Sequence, residues 1–592
     1  MSDEDPPAPI EQVCDPSSQR SFEVPEWFAN NAEFDLRYAT RVQPLVCGED
    51  AFAAVSRALN GAQHSINMCF WGLDPAMLLK RGTAENWDNT EILGEILLRK
   101  AIDEGVTIRM IVWDHYFESI GSMGIGSSET DPTNQDTGGN SRNLERFRSF
   151  TSNIPNIDVR MTNALSTIRW TYFPSFHQKS IIVDIENPPA STAFVMGHNM
   201  LVSYWSKQSL RKYDNNRQFY LQNNREIDAD DFASDVRRAR ETYEFYRDMT
   251  GYVPPNHAAT VERFRQQYDA LRNATAQNRF SYTTHRAPHL KPYLDVSSQI
   301  WGKAVTDVYD NFSRVWKENA GSAPPAHPPV SQFQASGHTA PAQVAATFPL
   351  TQAKDIEKLY RHAMQNADRY ILMVNQYFRN WPLTDEIIDW WAQHRDIPCR
   401  KKVPLMIVTN DWNLPENIDT LGFMDRASAR AQAGHDGVTR DKFLAAEAPI
   451  SLTKMLTEEQ GDHSTIYVHA KLLLVDDVCY SIGSANYNRR GMESDPELNI
   501  GVLDGQEALR LRREVMNILV GDPMNDLGAG NDPMDAFARW QSMVTANTNA
   551  SASSARLPHG RVVSYSATTR DPNDETGNRR ADASTGGGST IA

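Results

Sequence analysis

The chain has 592 residues, too many for one hydrophobic core, so two or more domains are expected. Its hydrophobic content of 40% is that of a globular protein, and no apolar run approaches the roughly 20 residues of a membrane-spanning helix. The formal net charge of -16 at pH 7 weighs against a large phosphate-binding surface, and therefore against nucleic acid as a partner.

The beginning of the chain and its cysteines indicate where the protein is expected to act. The first residues, MSDEDPPAPIEQVCDP, are acidic and rich in proline, unlike a secretory signal peptide. Five scattered cysteines form no CxxC pair, which predicts free thiols rather than disulfides or a zinc site. We therefore expect a soluble protein that is cytoplasmic or is exported by a route that requires no signal peptide.

Composition divides the chain into two halves and three polar segments. The segments at 1–25 and 546–592 are typical of flexible tails. A third segment, at 321–343, is rich in Pro, Ala and Ser and predicts a linker. This linker separates an N-terminal half at 26–320 from a C-terminal half at 344–545.

Both halves predict helix, strand, helix and strand in the same order. The first half does so in AFAAVSRALNGAQ, SINMCFWGL, TEILGEILLRKAIDEG and VTIRMIVWD, and the second in DIEKLYRHAMQNA, RYILMVNQYF, TDEIIDWWAQHRD and VPLMIVTND. The strands are continuous apolar runs, as expected where helices cover both faces of a sheet. We predict an α/β fold of two similar α/β/α repeats packed about a pseudo-twofold axis. A helical insertion is expected at about 206–290 and another long insertion at 415–463.

Each half then contains a strand with the pattern His-x-Lys-x4-Asp. The residues at the three positions are His177, Lys179 and Asp184 in the first half and His469, Lys471 and Asp476 in the second. Because side chains alternate along a strand, the His and Lys share a face, whereas the Asp faces away and is predicted to support the site without touching the His. One copy would fit a half-exposed polar strand, but two copies at matching places argue against chance.

A segment that ends in asparagine follows each pattern, GHN at 197–199 and GSAN at 483–486. Lysine is a cationic donor without an acceptor, so two lysines beside two histidines repel a metal ion and attract an anion. We therefore expect an oxyanion site. Its predicted substrate-binding side chains are Lys179, Lys471, Asn199, Ser484 and Asn486.

The expected chemistry is displacement at phosphorus. One neutral imidazole attacks, and the other, protonated, gives its proton to the leaving alcohol. The lysines and asparagines stabilise the developing charge, and water then releases the phosphoryl group. No cofactor is required, because Lys and His supply the positive charge; stimulation by a divalent cation stays open.

Each histidine should also need a carboxylate that fixes its tautomer. Glu497, just after the motif of the second half, and Asp295, in the first half, are the candidates. The alternative for Asp295 is an ordinary residue at a helix start. The apolar stripe that follows it, from Ile300 to Trp316, predicts a helix that faces the core.

The doubled pattern resembles the HxKxxxxD motif of the phospholipase D superfamily. The stretches STIYVHAKLLLVDDVCYSIGSANYNRRGM and ILMVNQYF resemble the eukaryotic-type members, as does the segment 295–316. The resemblance covers roughly residues 40–205 and 290–520. It implies a phosphohistidine ping-pong mechanism with His177 as nucleophile and His469 as acid and base, oriented by Asp295 and Glu497 respectively.

The sequence departs from the family at a few positions. Met196 stands where the first glycine of the usual Gly-Gly pair belongs, and Val374 replaces an acidic residue of the NQYF strand. No lipid-docking module is apparent in the short N-terminal region, which favours a stand-alone bacterial or fungal enzyme. The layout is similar to that of antibacterial phospholipase D effectors, which would add an immunity or adaptor protein as a partner.

Phospholipid is the predicted substrate class, with cleavage of the distal phosphodiester bond to phosphatidic acid and a free head-group alcohol. The stretches RWTYFPSF and SIGSMGIGSS are candidates for an acyl-chain entrance at a membrane surface. Since both motifs lie in one chain, a monomer is expected. A nuclease, a phospholipid synthase or transferase of the same superfamily, and a catalytically silent binding protein are the alternatives.

Overall fold

The computed structural model of the protein describes residues 10–15, 18–80, 91–113, 154–162, 175–212, 292–394, 403–410 and 449–565, apart from positions 76, 202, 203, 460 and 462, together with positions 144, 147, 148, 151, 152 and 214. Most of the predicted insertions, at 206–290 and 415–463, lies outside these residues. So do SIGSMGIGSS and most of RWTYFPSF. No described helix has the length and apolar character needed to cross a membrane.

Each half of the described structure contains both strands and helices. The first half contains β1 (Ile10–Asp15), β2 (Ser18–Phe22), β3 (Arg37–Val46), α1 (Cys47–Gly61), β4 (Ser65–Phe70), β5 (Leu78–Lys80), β6 (Glu91–Ile92), α2 (Leu93–Ile102), β7 (Thr107–Trp113), β8 (Ile157–Thr162), β9 (Ser180–Val183), β10 (Thr192–Met196), β11 (Tyr293–Leu294), β12 (Val296–Gly302) and α3 (Ala304–Ala320). The second contains β13 (Ala340–Phe348), β14 (Ala353–Lys354), α4 (Asp355–Gln365), β15 (Ile371–Asn375), α5 (Trp381–Gln393), β16 (Leu405–Val408), β17 (Ile450–Met455), β18 (Tyr467–Val468), β19 (Lys471–Val475), β20 (Cys479–Gly483), β21 (Glu497–Leu503), α6 (Gly505–Val520), α7 (Pro533–Ala552) and β22 (Val562–Ser564).

One large sheet runs through both halves. Its strand order is β22, β17, β16, β15, β19, β20, β21, β13, β3, β12, β10, β9, β4, β7, β8, with β14 beside β13. At the centre β3 and β13 pair antiparallel, with Ala340 opposite Thr40. Outward from this pair, each half repeats the same strand order and directions. In the described part of this sheet, β4, β7 and β8 are parallel to one another in the first half, and β15, β16 and β17 are parallel to one another in the second. The other neighbouring strands are antiparallel.

Helices cover both faces of this sheet. On one face a single core extends across both halves and includes residues of α3, α6 and α7. On the other face each half has its own core, built with α1 and α2 in the first half and with α4 and α5 in the second. Successive residues of one strand enter opposite cores, as Leu472 and Leu473 of β19 do. The predicted α/β fold with two similar repeats is confirmed.

Several predicted boundaries differ from the structure. Residues 10–22, predicted as a tail, form the β1–β2 hairpin. The predicted linker ends before Ala340, because 340–348 is the central strand β13. Its alanines resemble a flexible linker in composition, but small side chains suit a strand that is buried on both faces. The predicted insertion at 415–463 likewise contains strand β17.

The predicted C-terminal tail is also wrong for its first part. Helix α7 continues to Ala552, and β22 then adds an edge strand to the sheet. The side-chain amide of Asn547 ties the two together, since it donates to the carbonyls of His559 (2.7 Å) and Val562 (2.8 Å). A polar residue that suggested disorder is therefore a buried structural group.

Ile300 belongs to strand β12 and not to the predicted helix, which starts at Ala304. The change of direction occurs at Gly302, whose φ of +87° favours glycine. A Cβ there would also lie only 2.3 Å from the carbonyl oxygen of Ala39 on β3. The strand matters for the site because Asp295 lies directly before it.

The two motif aspartates stabilise turns at the far ends of their strands. The carboxylate of Asp184 accepts the backbone N–H groups of residues 63–65 at 2.7–3.1 Å. Asp476 accepts those of residues 368–370 at 2.7–2.9 Å. The expectation that they face away from the histidines is confirmed. Their inclusion among the catalytic candidates is corrected to a structural role.

We expect Asp184→Ala to lower the free energy of unfolding by about 3 kcal/mol, because three N–H groups just before and at the start of β4, that of the buried Ser65 among them, lose their acceptor. Urea denaturation followed by circular dichroism measures this loss. The control is Glu186→Ala, which removes an exposed carboxylate that accepts one hydrogen bond, from Ser65, on the same turn. Equal losses for both variants would contradict the structural role of Asp184.

Candidate active site

The backbone just before each of the strands β9 and β19 is hydrogen-bonded to the opposite half. The N–H of His469 donates to the carbonyl of Leu294 (2.8 Å), and strands β11 and β18 pair in parallel there. At the matching place, the N–H of His177 donates to the carbonyl of Pro496 (3.1 Å). The residue after Leu294 is Asp295, and the residue after Pro496 is Glu497. Each histidine therefore lies beside the acidic residue of the other half.

The carboxylates and histidines pair across the two halves. Nδ1 of His177 lies 2.8 Å from Oε1 of Glu497, and Nδ1 of His469 lies 2.7 Å from Oδ2 of Asp295. The expectation that each carboxylate orients the histidine of its own half is therefore wrong. That pairing was suggested because each carboxylate lies in the same half of the chain as its assigned histidine. The crossed contacts follow from the backbone pairing between the halves, which the sequence pattern does not contain.

Two small residues, Gly197 and Ser484, lie against the carboxylates at the interface between the halves. A Cβ on Gly197 would lie 2.2 Å from Oδ1 of Asp295, so glycine leaves the space that this carboxylate occupies. At the matching position of the second half, the hydroxyl of Ser484 donates to Glu497. The carbonyl of Ser484 also lies 3.1 Å from Nδ1 of His177. Ser484, predicted to bind substrate, thus holds both members of one pair.

The two lysines are fully buried beside the histidines. Nζ of Lys179 donates to the carbonyl of His177 (2.7 Å), and Nζ of Lys471 donates to the carbonyl of His469. Lys471 also donates to Oε1 of Gln376 (2.9 Å). Each lysine thus lies next to its motif histidine, as predicted, although His177, Lys179 and His469 precede strands β9 and β19 and do not belong to them.

The two predicted asparagines differ in their contacts. Asn199 accepts the N–H of Gly72 (3.1 Å) and donates to the hydroxyl of Tyr204 (2.9 Å), so its side chain is already bonded within the protein. Its predicted role as an oxyanion ligand stays a prediction, with Oδ1 and one N–H of the amide already bonded. The Oδ1 atom of Asn486 is buried without a hydrogen-bond partner among the described residues.

The charges of the site are strongly perturbed. Burial, followed by the fields of Lys179 and Lys471, lowers the pKa of both histidines well below the usual range. Burial lowers the pKa of Lys179 to about 8 and raises the pKa of Asp295 to about 7. It likewise raises the pKa of Glu497. Cationic forms of the histidines and lysines are therefore disfavoured until an anion enters the site.

We expect NMR titration to show His177 and His469 neutral at pH 7, with pKa values below the ordinary value of about 6.5. Inorganic phosphate should raise both pKa values, because an anion stabilises the imidazolium. His327 is the control, since its hydrogen bond with Asp310 raises its pKa outside the site. Assignment uses the two alanine variants. Site histidines that titrate at or above their ordinary value without phosphate would contradict the burial argument.

Three further side chains near the histidines were not predicted. The ring of Trp71 packs edge-on against His177 at 6.2 Å between centroids, Tyr204 lies against His469 at 4.8 Å, and Gln376 binds Lys471. Trp71 and Gln376 directly follow strands β4 and β15, so their position at the end of a predicted strand could have identified them as site residues. No comparable sequence feature identifies Tyr204. Within the described ranges, no group of three His, Cys, Asp or Glu side chains is arranged to hold a metal ion.

Comparison with known families agrees with this duplicated site. A family model described as phospholipase D matches residues 58–243, and one described as cardiolipin synthase, phospholipase D-like domain, matches residues 360–519. Together they cover more than half of the chain, with one motif in each. The chain belongs to the phospholipase D superfamily. Both superfamily matches include a motif strand and the segment that ends in asparagine.

Individual relatives are distant. The chain is 23% identical over 594 residues to phospholipase D alpha 1 of Brassica oleracea var. capitata, with 83% of this chain and 64% of that protein covered. It is 22% identical to phospholipase D alpha 4 of Arabidopsis thaliana, covering 76% and 59%. The chain thus spans less than two thirds of these relatives. A phosphatidylserine synthase structure from Haemophilus influenzae matches with 12% identity, coverage of 82% and 87%, and a TM-score of 0.40.

Proposed function

We propose that the protein is a phospholipase D, which cleaves the distal phosphodiester bond of a glycerophospholipid to phosphatidic acid and a head-group alcohol. The observation that carries the proposal is the crossed pair of carboxylate–histidine contacts beside two buried lysines. A carboxylate at Nδ1 of each imidazole leaves Nε2 for reaction with substrate. The buried lysines favour a phosphodiester anion between the two rings.

The first step transfers the phosphatidyl group to the protein. Nε2 of His177 attacks phosphorus while Glu497 stabilises the positive charge that develops on its ring. His469, protonated and held by Asp295, gives its proton to the head-group oxygen as the P–O bond breaks. Lys179 and Lys471 stabilise the charge on the non-bridging oxygens. No cofactor takes part in this scheme.

The second step releases phosphatidic acid. His469, now neutral, takes a proton from water as the water oxygen attacks phosphorus and the P–Nε2 bond breaks. An alcohol in place of water would give a phosphatidyl alcohol by the same route. Hydrolysis and head-group transfer therefore share one intermediate, and both belong to the proposal.

Phospholipid is preferred to nucleic acid for two reasons. The formal charge of -16 opposes binding of a polyanion, and the curated relatives are named phospholipases D. We further propose that a monomer acts at a membrane surface, since one chain brings both motifs together. An antibacterial role, with an immunity or adaptor partner, stays a prediction.

Mass spectrometry of mixed phospholipid vesicles tests the proposal. We expect phosphatidic acid and free head group after incubation, and phosphatidylethanol when ethanol is added. Supercoiled plasmid under the same conditions should stay intact. Plasmid nicking without lipid turnover would favour the nuclease, and exchange of head groups without phosphatidic acid would favour a synthase or transferase.

A further inference from the structure

The two histidines do not have equivalent surroundings. Nε2 of His469 lies 3.4 Å from the hydroxyl of Tyr204, whose ring stands at 82° to the imidazole. No described side chain is hydrogen-bonded to Nε2 of His177, whose ring neighbour is Trp71 at 6.2 Å between centroids. The side chain of His177 is 13% exposed and that of His469 is 5% exposed. The reactive nitrogen of His469 is thus covered by a hydroxyl, whereas that of His177 is not.

A chain of hydrogen bonds holds the Tyr204 hydroxyl in place. The N–H of Gly72 donates to Oδ1 of Asn199, and Nδ2 of Asn199 donates to Oη of Tyr204. Because Oη accepts from Asn199, its own hydrogen can be directed to Nε2 of His469. The Nδ1–H group of His469 donates a hydrogen bond to Asp295, so Nε2 of the neutral ring is the acceptor nitrogen.

Lys471 contacts the same ring from another direction. Nζ of Lys471 lies 2.9 Å from Nδ1 and 3.1 Å from Nε2 of His469. A group almost equally distant from both nitrogens lies over the ring and not along the Nε2 lone pair. Tyr204 is therefore the side chain placed to occupy that lone pair in the resting site.

We propose that Tyr204 is a positioning residue that reserves His469 for proton transfer and leaves the attack on phosphorus to His177. Its hydroxyl occupies the Nε2 lone pair of His469 until substrate enters, so the exposed imidazole of His177 is the one that meets the phosphodiester. The inference rests on the proposed phosphohistidine chemistry. It adds a physical reason for the different roles of two histidines that the fold makes nearly symmetric.

A substrate pair separates proton transfer from attack. In p-nitrophenyl phosphocholine the nitrophenolate leaves without a proton, whereas the head-group alcohol of phosphatidylcholine needs one. With Tyr204→Phe, we expect turnover of phosphatidylcholine to fall at least about tenfold. The nitrophenolate burst, which reports attack by His177, should change less than about twofold.

The pH profile supplies a second readout. Besides Tyr204 itself, the titratable groups that face His469 among the described residues are Asp295, Lys471, Lys179, His177, His198 and Tyr467. Tyr204→Phe leaves all of them in place, so a shifted limb in the profile of phosphatidylcholine turnover reports the lost hydroxyl. Asn199→Ala keeps Tyr204 but removes the amide that donates to its hydroxyl, and it should shift the same limb if the phenylalanine variant does not fold.

The control is Tyr309→Phe, which removes another hydroxyl with a hydrogen bond, to Pro325, outside the site. If Tyr204→Phe slows the nitrophenolate burst and lipid turnover equally, the site is damaged in general and the inference is overturned. An unchanged rate and pH profile of lipid turnover would overturn it as well. A wild-type protein that cleaves the nitrophenyl ester but no lipid would overturn the proposed lipid substrate alone. One that cleaves no phosphodiester would overturn both.

Discussion

Replacement of His177 or His469 by alanine is expected to lower phospholipid turnover by at least about 10³-fold, because each step requires one ring as nucleophile or proton carrier. The two variants should differ in their intermediates. With p-nitrophenyl phosphocholine, His469→Ala should still give a nitrophenolate burst and a stable phosphohistidine, since no proton is needed for departure. His177→Ala should give neither.

Quenched-flow measurement of nitrophenolate and isolation of the labelled peptide from phosphorus-labelled substrate check this expectation. His338→Ala is the control, since His338 is 55% exposed and pairs with Asp504 away from the motifs. Undiminished lipid turnover by His469→Ala would refute the mechanism. A label found on His469 in the wild-type protein would reverse the two roles and with them the proposed effect of Tyr204.

Asp295→Asn and Glu497→Gln are each expected to lower lipid turnover by about 10²-fold, but through opposite histidines. A neutral amide no longer stabilises the imidazolium and can impose the wrong tautomer on its ring. Since Asp295 holds His469 (2.7 Å), Asp295→Asn should spare the nitrophenolate burst. Since Glu497 holds His177 (2.8 Å), Glu497→Gln should slow it.

Double-mutant cycles add an independent check of the crossed pairing. The loss of phosphatidylcholine turnover from Asp295→Asn should largely disappear in a His469→Ala background, because Asp295 acts through His469. It should persist in a Glu497→Gln background, where the perturbed ring is that of His177. Asp307→Asn is a matched control, because Asp307 is a buried carboxylate paired with Arg37 outside the site. An undiminished loss from Asp295→Asn in the His469→Ala background would favour pairing within each half instead.

The crossed arrangement has a consequence for how the site can form. Glu497 lies 320 residues after His177, and His469 lies 174 residues after Asp295. Each imidazole therefore has its tautomer set by a side chain from the other half. The halves must associate through the central β3–β13 pair and the β11–β18 pair before either histidine is correctly oriented.

Local pattern was enough to predict much of this protein. The period of the apolar residues indicated the repeated strands and helices, and alternation along a strand placed His469 and Lys471 together and Asp476 away from them. These are properties of a few neighbouring residues, so they survive without knowledge of the fold. Composition misled where polar or small residues are buried, as in β13 and at Asn547.

Only the tertiary structure decided which groups meet between the halves. The contact between His177 and Glu497, and that between His469 and Asp295, depend on strand order and on the register of backbone hydrogen bonds between distant segments. Sequence separation carries no information about these contacts, because the sheet joins residues that are hundreds of positions apart. The two motifs thus predicted the chemical groups of the site, and the packing of the repeats decided how those groups are paired.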